Sequence, residues 1–330
     1  MQRILIIQTA FLGDVILATA VLEKLHARFP EARIDFLLRK GNESIFQGHP
    51  FLHEVLVWDK KVRRWAGIWQ LAKQIKSNDY DLVVNLQRYF SSGLLTVLSG
   101  ARMTSGFNKN PLSFRFSHCA PHRYSSGDQF IHEIERNDAL ISQIAGNHIF
   151  KPKIYPPKDK LAQYEEKGNG YITISPASVW FTKQLPVDKW VEFIDRVGES
   201  TAIYLLGGKE DAGRCDKIIR ESKRGNITNL AGKLSILESA AAMAGAAMNY
   251  TNDSAPLHLA SALNAPVVGV FCSTVPSFGF TPLSDAAHIA ETAEKLSCRP
   301  CGIHGKKSCP EGHFRCSRID VDQLLAKLPQ

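Results

Sequence analysis

The chain has 330 residues, 44% hydrophobic and 22% charged, with 40 Lys and Arg against 32 Asp and Glu for a formal net charge of +8. That profile fits an ordinary globular protein of two domains at roughly 150 residues each, and it excludes a disordered chain, a disulfide miniprotein and a membrane-spanning protein. The apolar part of the opening MQRILIIQTAFLGD is too short for a signal-peptide core and reads as a strand, so the expected compartment is the cytoplasm, with reduced thiols.

Arg3 to Gln8 is the first predicted strand. Asp14 to Phe29 follows as a helix, with Val15, Ala18, Leu22, Leu25 and Phe29 on one stripe. Next come strands at Ile34–Leu38 and Val55–Trp58, a helix at Trp65–Lys76, a strand at Leu82–Asn85 and a helix at Ser91–Leu98. Gly127 to Ala145 has the pattern of one longer helix. Residues 147–168 read as a linker, because the prolines of KPKIYPPKDK continue neither a helix nor a central strand. The second half repeats the alternation: strands at Tyr171–Ser175, Ala202–Leu206, Met248–Thr251 and Val267–Phe271, with helices at Val187–Val197, Asp211–Ser222, Ile236–Ala247 and Pro256–Leu263. Strands alternating with helices give βαβ units, hence two doubly wound α/β domains whose ligands bind at the carboxyl ends of the strands.

Four strand-to-helix turns carry chemistry. Thr9 to Asp14 has one glycine, so it is neither a dinucleotide fingerprint nor a P-loop. It places Asp14 at a helix start, either as an N-cap or as a general base. The loop Ser175 to Pro186 presents Ser178, Thr182 and Lys183 ahead of a helix, hydroxyls and a cation suited to phosphate or simply solvated. Leu206 to Asp211 offers two glycines and Glu210, which can accept from ribose hydroxyls or answer the helix dipole. Thr251 to His258 ends a strand and starts a helix, making an anion site beside Asp253 and Ser254, with His258 facing a phosphate or filling the core. Asp79-Tyr-Asp81 spells D-x-D but precedes a strand, so it reads as a solvated turn at the amino end of the sheet. Cys298, Cys301, Cys309 and Cys316, with His304 and His313 between them, could hold a structural zinc, pair, or stay reduced.

In chain order, ILIIQTAFLGDVILATAVLEKL, DLVVNLQRYFSSGLLTVLSGA, SPASVWFTKQLPVDKW, LLGGKED, NDSAPLHLASALNAPVVGVF and the tail CRPCGIHGKKSCPEGHFRC make the chain resemble glycosyltransferase family 9, the ADP-heptose:lipopolysaccharide heptosyltransferases, over essentially its whole length. The resemblance implies a GT-B fold: two doubly wound Rossmann-like domains facing across a cleft. Residues 1–150 would hold the acceptor, 151–168 the linker, and 169–330 the nucleotide sugar with a Cys-rich C-terminal segment. It implies Asp14 as catalytic base and Lys183 on the donor phosphates. Glu210 falls on the nucleoside-binding acid, and Asp253, Ser254, Ala255 and His258 on the diphosphate loop and the helix behind it. Ala177 and Ala255 stand where the family often has glycine, and Gln184-Leu185 replaces a commoner Arg-Trp or His-Trp pair.

The implied reaction is inverting transfer of heptose from ADP-heptose to a lipid A–Kdo type acceptor at the cytoplasmic face of the inner membrane, with no cofactor required and no nucleic-acid partner. Lys61, Arg63, Arg64 and Arg88 are the acceptor-binding candidates. A second basic stretch read as a loop, Arg102 to Gly127, adds Lys109, Arg115 and Arg123 among aromatics. The rival readings are a family relative using another sugar or acceptor, and a non-enzymatic nucleic-acid-binding protein, which charge alone suggests.

Overall fold

The structure is a computed structural model and describes residues 1–60, 64–124, 130–168 and 170–328. The chain divides into two compact units, Met1–Tyr155 and Pro156–Gln330. The first carries strands β1 (Arg3–Ile7), β2 (Arg33–Arg39), β3 (Leu52–Trp58), β4 (Leu82–Asn85), β5 (Met103–Phe107) and β6 (His118–Ala120). Its helices are α1 (Leu12–Arg28), α2 (Arg64–Ser77), α3 (Phe90–Leu98), α4 (Glu133–Asp138) and α5 (Ser142–Ala145). All strand pairs are parallel, in the order β3-β2-β1-β4-β5-β6. Every residue of β1 after Arg3 is buried, as is all of β4. A parallel sheet covered on both faces needs such unbroken apolar runs.

The second unit opens with α6 (Lys158–Glu165) and repeats the design with β7 (Tyr171–Ser175), α7 (Val187–Arg196), β8 (Ala202–Leu205), α8 (Ala212–Glu221), β9 (Ile227–Asn229), α9 (Ile236–Ala244), β10 (Met248–Asn252), α10 (Ala255–Leu263), β11 (Val267–Phe271), β12 (Ala287–Glu291) and α11 (Asp322–Leu325). Its order, β12-β11-β10-β7-β8-β9, is the same doubly wound topology. Pro186 sets the start of α7, which buries Trp190, Phe193 and Ile194 against the sheet. No helix among the described residues is long and apolar enough to cross a membrane.

Three expectations need correction. The long helix over 127–145 is two short ones in its described part. The carbonyl of Leu140 accepts the Ser105 hydroxyl at 2.6 Å instead of continuing a helical ladder. Asp138 ends α4 in an ion pair with buried Lys24 of α1, Nζ to Oδ1 2.5 Å. The linker contains α6, whose Tyr164 packs with Tyr171 and the alanines of α9. Pro157, at the N-cap of α6, precedes the helix instead of interrupting it. Residues 102–127 are not one loop: they contain β5 and β6.

Candidate active site

In each sheet the strand order reverses between the unit's first and fourth strands, β1 and β4 in one, β7 and β10 in the other. Open α/β sheets bind ligands outside the carboxyl ends of the strands at this switch point.

In the first unit Asp14 is the third residue of α1. The N-cap is Phe11, with no side-chain cap, so the capping role considered for Asp14 does not hold. A carboxylate in the first turn is still favoured by the helix dipole. Arg88 follows the neighbouring strand, β4. Glu133, which opens α4 and is only 7% exposed, accepts from Arg136 Nε at 2.7 Å. Burial pushes the Glu133 carboxyl up; Arg136 opposes that shift, the charge of Asp14 adds to it, and Arg88 opposes it. Asp14, Arg88, Glu133 and Arg136 thus form one electrostatic group. His122 beside it is pulled down to about 4 by burial and then by Arg88, Arg136 and Lys109, so it is neutral near pH 7.

Beneath the β1–α1 turn the buried amides meet, Gln87 Nε2 donating to Gln8 Oε1. Lys60 reaches the same turn, Nζ donating to the Thr9 carbonyl at 2.8 Å and its hydroxyl at 3.1 Å. Of the acceptor candidates, Lys61 and Arg63 lie outside the described residues and Arg64 opens α2. The second basic segment is divided. Arg102 lies at the amino end of β5, 3.4 Å from Asp81 Oδ1. Phe107 is core, whereas Phe114 is 78% exposed.

In the second unit the loop after β7 is tied down by Asn252 of β10, whose Oδ1 accepts the Leu185 N–H at 2.9 Å. The loop ends in a 3-10 turn, Phe181–Lys183. It delivers Lys183 Nζ to 2.7 Å from Asp253 Oδ2 with both side chains largely buried. Thr274 donates to the same oxygen at 2.7 Å. Asp253 directly precedes Ser254, the N-cap of α10, and Ala255, its first residue. A largely buried cation therefore stands beside a helix amino terminus, where backbone N–H groups and the dipole favour an anion.

The remaining donor candidates divide. Glu210 is exposed, in a 3-10 turn after β8. Ser178 turns its carbonyl to Gln184 Nε2 at 2.6 Å. Thr182 is 1% exposed, and its hydroxyl accepts the Lys306 N–H at 2.8 Å and the Ser273 hydroxyl at 2.9 Å, so it holds two loops together. His258 is buried 6.3 Å, ring to ring, from Phe280.

The sequence model of Glycosyltransferase family 9 (heptosyltransferase) matches residues 68–313. This chain belongs to glycosyltransferase family 9. It is a glycosyltransferase. Lipopolysaccharide heptosyltransferase 1 of Pseudomonas aeruginosa is 27% identical over 93% of this chain and 87% of its own length. The structure of E. coli ADP-heptose lps heptosyltransferase II has a TM-score of 0.75 at 19% identity, over 99% of this chain and 98% of that one. E. coli heptosyltransferase WaaC with ADP has a TM-score of 0.71 at 19% identity, over 87% of this chain and 92% of that one. Each unit is a doubly wound Rossmann-like fold, and GT-B glycosyltransferases are built of two such folds.

For this family-9 enzyme, sequence reading missed Thr274, Ser273 and Asn252 around Lys183, and Glu133 and Arg136 around Asp14. Ser273 and Thr274 lie two and three residues past β11, at a strand's carboxyl end, which is a usable signal. Glu133 is about 120 residues from Asp14 in sequence, and no local pattern announces their pairing. The D-x-D carboxylate Asp81 accepts the Gln2 and Arg3 N–H groups at 2.6 and 3.2 Å, a structural role at the amino end of the sheet.

Proposed function

We propose that the enzyme transfers heptose from ADP-heptose to the inner core of lipopolysaccharide, with inversion at the anomeric carbon. The observation that carries this reading is the charge arrangement at the two switch points: a carboxylate in the first turn of α1, and a largely buried lysine beside a helix amino terminus between β7 and β10. An acceptor hydroxyl becomes a competent nucleophile when a base takes its proton during attack, worth about 10²–10⁴ in rate. Asp14 is that base. As the bond to the donor breaks, the ADP leaving group gathers negative charge. Lys183 and the start of α10 stabilise it. One base and one displacement give inversion. Glu210, exposed after β8, receives the ribose hydroxyls.

The names of the relatives, lipopolysaccharide heptosyltransferases, support heptose as the sugar and the lipopolysaccharide core as the acceptor. The basic segment at residues 60–64 and Arg88 lie in the unit of Asp14, where an acceptor bearing carboxylates and phosphates would meet them. Work at the cytoplasmic membrane face follows from that acceptor. The test is a screen of nucleotide sugars with purified protein and a Kdo-containing lipid acceptor, read by mass spectrometry and by NMR of the new anomeric linkage. ADP-heptose should be the preferred donor, with inverted configuration. Preference for another sugar, or retention, contradicts the proposal.

A further inference from the structure

Beyond the strands of the second unit, the segment from Cys298 to Cys316 folds back onto the β7–α7 loop. A cavity of about 200 Å³ lies there, lined by Cys298, Cys301, Cys309, Cys316, His313 and Thr182 among others. Cys298 Sγ is 4.0 Å from His313 Nε2, the Phe314 N–H donates to Cys309 Sγ at 3.4 Å, and Cys316 is 4% exposed. The sulfurs ring the cavity without closing on a point: among the described residues, only Asp35, His53 and Glu54 bring three ligand atoms within 4.8 Å of one another. Gly302, Gly305 and Gly312 between them have φ of 88°, 78° and 71°, turns a side chain would oppose.

The same segment buttresses the donor-site lysine. The Thr182 N–H donates to the Lys306 carbonyl at 3.1 Å and the Lys306 N–H returns to the Thr182 hydroxyl at 2.8 Å. The Cys301 N–H donates to the Ser273 carbonyl at 3.0 Å. A Cβ on Gly305 would stand 2.9 Å from Lys183 Cγ. Four cysteines around one cavity, reached by three turns, therefore stand one residue layer from Lys183.

We propose that Cys298, Cys301, Cys309 and Cys316 bind one thiolate-preferring divalent cation of the zinc class, and that this ion sets the position of Lys183 through Gly305, Lys306 and Thr182. Four sulfurs suit tetrahedral zinc. Each thiol that ligates gives its proton to solvent, so no oxidant or reductant takes part. The effect on Lys183 rests on the donor-phosphate reading above; the metal site does not.

The experiment uses the full chain. Zinc is measured per chain, removed with chelator and replaced by cobalt(II), whose sulfur charge-transfer and tetrahedral d–d bands report thiolate ligation. ADP affinity is then measured by calorimetry on loaded, stripped and reloaded protein. Expected are about one ion per chain, a tetrahedral thiolate spectrum lost in Cys309→Ser, and ADP binding about tenfold weaker when stripped and recovered on reloading, the low end for a support of first-contact groups. Gly305→Ala covers the case in which Cys309→Ser does not fold: it should keep the cobalt spectrum and weaken ADP binding. Absence of metal with the thiols free, or a disulfide between these cysteines, overturns the site. ADP affinity indifferent to metal overturns the coupling. Absence of ADP binding by loaded protein with a normal cobalt spectrum overturns the donor-site reading instead.

Discussion

At the scale of the residue, the decisive feature is that Lys183 is not a mobile surface cation. It is held at 2.7 Å from Asp253, 13% exposed, at the mouth of α10. On the proposed function, an incoming diphosphate would meet a cation already placed, with Asp253, fixed by Thr274, as its competitor. Lys183→Ala should weaken ADP binding by about 1.5–3 kcal/mol, roughly ten- to hundredfold. It also leaves the Asp253 carboxylate facing the phosphates, so Asp253→Asn in that background should recover part of the loss. Calorimetry on the single and double variants checks both. Equal ADP affinity in wild type and Lys183→Ala would remove the lysine from the phosphate site.

At the scale of the element, the first unit depends on α1 being fixed to α4, because these helices carry Asp14 and Glu133. Lys24 is 2% exposed and paired with Asp138 across that contact. Lys24→Ala strands a buried carboxylate and should cost about 3–5 kcal/mol in denaturant unfolding of this unit. Replacing both partners, Lys24→Met with Asp138→Leu, should recover most of it. A single variant as stable as wild type would show that the pair does not hold the helices together. The same contact explains where sequence reading stopped. Most strands of the sheet centres were legible because they are short, largely apolar runs between turn residues; β5, MTSGF, has too few apolar residues and was missed. Asp14, Lys183 and Asp253 were legible because they sit on the turns that follow such runs. The edge strands β6, β9 and β12 are short or mixed in polarity, HCA, ITN and AHIAE, and gave no run to find. The break between α4 and α5 depends on Ser105 capturing the Leu140 carbonyl, a contact 35 residues apart in sequence. Periodicity reports neither, since both are decided by what packs alongside.

At the scale of the whole molecule, the division of labour is the central claim: the acceptor and its base in the first unit, the nucleotide sugar in the second. An anionic acceptor at a membrane face should sense the basic segment at residues 60–64. Lys61, Arg63 and Arg64 reversed to Glu should raise the acceptor KM and weaken sedimentation with anionic vesicles while ADP affinity stays constant. Each cation near such a surface is worth about 1 kcal/mol and is screened by salt. Acceptor kinetics at low and high salt test this, and an acceptor KM unmoved at low salt refutes it. The most direct test of the division itself is the mass of the lipid acceptor after incubation with ADP-heptose and either wild-type enzyme or Asp14→Asn, at ADP concentrations that show both proteins bind nucleotide equally. The account predicts one added heptose with wild type and none with Asp14→Asn. Heptose transfer at the wild-type rate by Asp14→Asn would contradict it.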